Sequence, residues 1–106
     1  MRLVKVARVK DIREQSGTLV RINEEDVVIF KRNEEYFALS NVCAHQHFSM
    51  LHQGTLEDCT VTCPMHGWTY DMRTGKATTG QGRVATYNVK IEGMDIFIEV
   101  PVDDRV

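Results

Sequence analysis

Cys43-Ala44-His45 and Cys63-Pro64-Met65-His66 put a Cys-x-His pair and a Cys-x-x-His pair in one chain, with seventeen residues between His45 and Cys63. Each segment offers one thiolate and one imidazole, donors that suit borderline-soft metals. A set of two cysteines and two histidines fits a tetrahedral zinc ion. It also fits a 2Fe-2S cluster in which the cysteines hold one iron and the histidines the other. Ligand order bears on the choice. A zinc finger of this composition usually takes both cysteines from one turn and both histidines from one helix, giving Cys, Cys, His, His. Here the order is Cys, His, Cys, His. A dinuclear cluster accounts for that alternation, because two facing loops can each reach both irons, giving a cysteine to the inner metal and a histidine to the outer.

At these residues the chain resembles the Rieske family. The resemblance runs through Asn41-Val42-Cys43-Ala44-His45 and Cys63-Pro64-Met65-His66-Gly67-Trp68-Thr69-Tyr70-Asp71, and more loosely over nearly the whole chain, which is similar to a free-standing Rieske ferredoxin. It implies one Rieske-type [2Fe-2S] cluster, with Cys43 and Cys63 on one iron and His45 and His66 on the other. It implies single-electron carriage from a reductase to a terminal oxygenase or similar enzyme, by a carrier that is not itself a catalyst. Rieske proteins of respiratory and photosynthetic complexes carry an additional cysteine pair that staples the two cluster loops. Those positions here are Phe48 and Met65. The loops must then be held by packing, hydrogen bonds and metal, a pattern similar to the ferredoxins of bacterial oxygenases. Two other readings share the ligands: the small Rieske subunit of an assimilatory nitrite reductase, and a zinc-stabilised binding module.

The resemblance also bears on tuning. High-potential relatives have a serine one residue beyond the glycine of the second motif, where this chain has Trp68, while Tyr70 stands where they place a tyrosine that can bond a ligand sulfur. Hydrogen bonds to sulfur stabilise the reduced form. Losing one places the expected midpoint potential near the low end of a range of about -150 to +300 mV. His45 and His66 are expected to keep a proton site on the second ring nitrogen, coupling electron and proton transfer at alkaline pH.

His47 and His52 lack the motif spacing and read as loop or surface histidines. Gly67 fits a turn or a close approach of backbone to the cluster, and Pro64 a stiffener. Cys59 shares a period of two with Val61 and reads as a small hydrophobe. Phe48, Met50, Leu51 and Trp68 are apolar for a loop region and are expected mostly to pack, with Gln46, Phe48 and Met65 the expected partner contacts. Gly80-Gln81-Gly82 falls where relatives have a proline-containing loop over the cluster, and it does not extend to a dinucleotide fingerprint.

Two loops with little structure of their own need a rigid base to keep four ligands in register. The chain's 106 residues fit one domain. A composition of 42% hydrophobic and 26% charged residues is that of an ordinary globular chain, and a net charge of -2 gives no reason to invoke nucleic acid or membrane. Transient protein partners are expected at the lobe. The amino terminus lacks a signal-peptide core, which points to the cytoplasm. Short β-rich segments separated by polar turns predict an all-β fold, a Rieske-like antiparallel barrel or sandwich base of about residues 1–41 and 72–106 with a cluster-binding lobe of about 42–71 inserted. Strands are predicted from Leu3 to Val9, Leu19 to Ile22, Val27 to Lys31, Tyr36 to Ser40, Thr60 to Thr62, Trp68 to Asp71, Ala85 to Ile91 and Ile96 to Val100. A helical turn is predicted within Asp11 to Gln15. Val27 to Phe30 shows no alternation and reads as a strand buried on both faces.

Overall fold

A computed structural model describes residues 2–42, 49–64, 67–78 and 82–100. Its strands are β1 (Arg2–Arg8), β2 (Gly17–Ile22), β3 (Glu25–Arg32), β4 (Glu35–Ser40), β5 (Thr55–Glu57), β6 (Thr60–Thr62), β7 (Thr69–Asp71), β8 (Thr86–Tyr87), β9 (Val89–Glu92) and β10 (Asp95–Val100). They form three antiparallel sheets in the orders β1-β10-β9, β2-β3-β4-β8 and β5-β6-β7. The expected all-β architecture is therefore present, and β1 closes it by pairing with β10, Arg2 opposite Val100.

The middle sheet separates two apolar cores. Along β3, Val28 and Phe30 join Phe37 and Leu39 of β4 on one face, while Val27 and Ile29 join Ala38 on the other. Side chains alternate across a strand, so an unbroken apolar run is buried only when both faces are covered. One face is covered by Ile96, Ile98 and Val100 of β10, and the other by Val61 of β6 and Tyr70 of β7. Tight turns fix the register. Asn23 and Glu24 adopt φ of 50° and 67° between β2 and β3, the double positive φ of a two-residue hairpin turn that matches strand twist.

Two expectations need correction, and one strand is additional. The helical turn is a 3-10 turn at Val9–Asp11, where the Asp11 carboxylate accepts from the Arg8 backbone N–H at 3.2 Å. Gln15 instead donates its N–H to the Lys31 carbonyl, drawing that segment to β3. The segment predicted as one strand from Ala85 to Ile91 is divided. Thr86 and Tyr87 pair with Leu39 and Ala38, and Val89 to Glu92 then pair with β10. At Asn88 the chain changes sheets, its carbonyl accepting from Glu99 N at 3.0 Å. Finally, β5 was not anticipated; its polar sequence Thr55-Leu56-Glu57 becomes a strand by pairing with β6.

Candidate metal centre

The second ligand segment leaves the third sheet at β6 and returns at β7. Thr62 lies opposite Thr69, their hydroxyls 2.8 Å apart, and the Cys63 N–H donates to the Trp68 carbonyl at 2.7 Å, closing the loop at its root. Cys63 is fully buried in the core formed by Leu51, Val61, Tyr70 and Met72, with Trp68 packed against it. A thiolate in such surroundings is costly unless a cation accompanies it. A sulfur donor rooted here thus fits a thiolate held by a metal. Pro64 and Gly67 are exposed, and Gly67 has φ +71°, the left-handed geometry that the expected turn role requires.

The first ligand segment is defined at its ends. Cys43, Ala44, His45, Gln46, His47 and Phe48 lie outside the described residues, as do Met65 and His66. Val42 and Ser49 form an antiparallel bridge across the base of that loop. Beneath it, Asn41 is a polar residue with 0% exposure. Its carbonyl accepts from the N–H groups of Met50 and Leu51, both at 3.1 Å, and its own N–H reaches the Asp26 carbonyl at 2.9 Å. His52, expected in a loop or at the surface, is half-buried within the 3-10 turn Leu51–Gln53, its Nδ1 3.0 Å from Asn41 Nδ2. Two glycines hold this turn in place. A Cβ on Gly17 would lie 2.5 Å from the His52 carbonyl oxygen, and one on Gly54 would lie 2.6 Å from the Thr62 carbonyl oxygen. The close approaches bring the base of the first loop against both β2 and β6.

The third loop also starts at this lobe. Thr78 donates its N–H to Thr69 O at 2.8 Å, Ala77 N reaches Gly82 O at 3.0 Å, and Tyr70 bridges Ala77. Thr79, Gly80 and Gln81 lie outside the described residues. Among the apolar lobe residues, Leu51 is buried and Trp68 half-buried against the core, in keeping with packing. Cys59 also packs there, but from the two-residue turn between β5 and β6 and not from within a strand. Burial is the leading cause of a thiol pKa pushed above its ordinary value, opposed by Arg73 and assisted by Asp71. Asn41, Gly17 and Gly54 were missed by sequence reasoning. A glycine opening a strand at Gly17 was an available signal of close backbone approach.

This arrangement coincides with a known family. The model of the Rieske [2Fe-2S] domain matches residues 2–91. The ferredoxin subunit of 3-phenylpropionate/cinnamic acid dioxygenase from Shigella boydii serotype 4 is 35% identical over 88 residues, covering 80% of this chain and 83% of that one. Among solved structures, one described as a putative NADH-dependent nitrite reductase small subunit from Mycobacterium tuberculosis superposes with TM-score 0.87 at 15% identity, over 95% of this chain and 97% of that one. A chain from the complex of reduced oxygenase and oxidized ferredoxin in carbazole 1,9a-dioxygenase gives 0.81 at 20% identity, over 91% of each. At those identities the two structures bear on fold alone. The chain belongs to the Rieske [2Fe-2S] domain family, and its cofactor is the Rieske-type [2Fe-2S] cluster. That sets aside the zinc module. No described helix is long and apolar enough to cross a membrane.

Proposed function

We propose that this chain is a ferredoxin that receives one electron from a reductase and passes it to a terminal oxygenase or similar enzyme, with Cys43, His45, Cys63 and His66 as the cluster ligands. The observation that carries the reading is the ligand alternation Cys, His, Cys, His in a chain 35% identical to a dioxygenase ferredoxin subunit. The fold alone is equally compatible with a nitrite reductase small subunit; the sequence likeness favours the oxygenase type.

The cluster supplies a one-electron redox couple. The chain's own residues place and insulate it. Cys63 supplies a thiolate from a rigid β6–β7 root, and the apolar core of Leu51, Val61, Tyr70 and Met72 keeps water from that side. His45 and His66 supply neutral nitrogen donors, which leave the site less negative than four thiolates would and so raise its potential. Residues 42–71 serve as the cluster-binding lobe, the place of transient docking, and the rest as its base. In this role the chain performs no reaction on an organic substrate, and it works in the cytoplasm.

His45→Ala is expected to abolish or transform the visible and paramagnetic spectra, whereas His47→Ala leaves them intact. The midpoint potential should fall near the low end of the range of about -150 to +300 mV. A value well above zero, or an unchanged spectrum in His45→Ala, overturns the assignment.

A further inference from the structure

We propose that Asn41 is a positioning residue of the cluster site, and that Asp26, Ser49 and Asn41 form one hydrogen-bonded chain that fixes both ends of the first ligand loop. The inference rests on the proposed ligand role of Cys43 and His45.

Every hydrogen-bonding group of Asn41 is engaged. Its N–H donates to Asp26 O and its carbonyl accepts from Met50 and Leu51. Its Oδ1 accepts from the His52 backbone N–H. Its Nδ2 donates to Ser49 Oγ at 2.8 Å and faces His52 Nδ1 at 3.0 Å. Ser49 Oγ in turn donates to Asp26 Oδ2 at 2.5 Å, the length of a charge-assisted O–H···O⁻ bond. The amide nitrogen Asn41 Nδ2 only donates, so Ser49 Oγ accepts from it and spends its own proton on Asp26 Oδ2.

The partners are not scattered. They lie on Asp26 of β3 and on residues 49–52, and residues 42–48 span the interval between Asn41 and Ser49. One buried amide therefore ties the entry of the ligand loop to its exit and both to the central sheet. A loop closed this way presents its donors without paying to order them at each metal contact. A buried amide that served only to satisfy local backbone would not need the relay through Ser49 to a carboxylate on a neighbouring strand. Asp26 also approaches Arg21 at 3.6 Å, but Arg21 is 69% exposed and lies outside the relay.

The test uses the cluster-loaded protein. Asn41→Ala and Ser49→Ala should release cluster iron to a chelator about 10-fold or more faster than wild type, the lower end of the affinity loss seen when the support of a metal ligand is removed, since both residues act on the ends of the loop and not on a ligand directly. Their reduced forms should show altered paramagnetic g-anisotropy with unchanged far-ultraviolet circular dichroism. Ser49→Thr keeps the hydroxyl and should behave as wild type. Asp26→Ala and Ser49→Ala combined should cost no more than the larger single change, because they break the same relay. Arg21→Ala should leave release unchanged. Should Asn41→Ala fail to fold, Ser49→Ala and the double variant still decide. The inference is overturned if Ser49→Ala loads fully and shows wild-type release and spectrum, or if Ser49→Thr is as impaired as Ser49→Ala. A wild-type protein that binds neither iron nor sulfide would instead defeat the ligand assignment.

Discussion

Gly54→Ala isolates the role of close packing at the base of the lobe. Gly54 has φ -71° and ψ 164°, extended geometry that alanine adopts freely, so the backbone itself imposes no penalty. The added Cβ would stand 2.6 Å from Thr62 O, 2.8 Å from Val61 Cγ2 and 3.0 Å from Leu51 O. Two of these are backbone atoms, and Thr62 immediately precedes Cys63, so relief requires β6 or the Leu51–Gln53 turn to move. Overpacking of this kind costs about 1–3 kcal/mol, against a gain of about 0.4–1 kcal/mol from a less flexible unfolded chain. A net loss of about 1–2 kcal/mol is expected, or about 4–8 °C in melting temperature per kcal/mol for a domain near this size. The comparison is Ile98→Val in the opposite core, which loses about 0.5–1.5 kcal/mol. Thermal unfolding by circular dichroism measures stability, and visible absorbance during chelation measures cluster retention. Gly54→Ala should lose its cluster faster than wild type, and Ile98→Val should not. Equal release from both, or an unshifted melt for Gly54→Ala, refutes the packing argument.

Tyr87 donates to Glu25 at 2.9 Å, and burial, then that hydrogen bond and the Glu25 charge, push its phenol up to about 12. A raised folded-state pKa favours the neutral phenol, so this stabilisation is complete below the unfolded value of 10 and is lost as pH rises toward 12. Unfolding measured against pH should show that loss in wild type and not in Tyr87→Phe; identical alkaline profiles would contradict it. Cys59 should alkylate more slowly than an unhindered thiol, because burial raises its pKa, and Cys59→Ser should retain the cluster; rapid labelling or cluster loss would count against its packing role. Arg73→Ala removes an exposed ion pair with Glu35 at 3.1 Å and a ring contact with Phe37 at 5.8 Å. The expected cost is under about 1 kcal/mol in denaturant unfolding, with no effect on cluster release.

Much of this molecule was legible because short-range physics decided it. The unbroken run Val27 to Phe30 announced a strand covered on both faces, and β3 has that environment. The strand predicted from Thr60 to Thr62 is β6 and runs into Cys63, but it belongs to the separate sheet β5-β6-β7, whereas the segment before Cys43 leaves the sheet of β4, so the two segments do not share the single sheet expected of the base. What escaped the sequence depends on pairing across long separations. Thr55-Leu56-Glu57 carries no strand signal and becomes one through β6, while the break at Asn88 follows from neighbours in two different sheets. Asn41 looked like one more residue before a cysteine. Its importance lies in bonds to Asp26 and to residues 49–52, which no local pattern encodes. Gly17 and Gly54 similarly gain meaning only from the backbone each of them touches.

Electron-nuclear double resonance on the dithionite-reduced protein, with iron and labile sulfide counted on the same sample, tests the central claim most directly. Two histidine nitrogens coupled to one iron of a [2Fe-2S] centre, both couplings sensitive to replacement of His45 or His66, are the predicted result. A centre without nitrogen coupling, or a protein containing zinc and no inorganic sulfide, would contradict it.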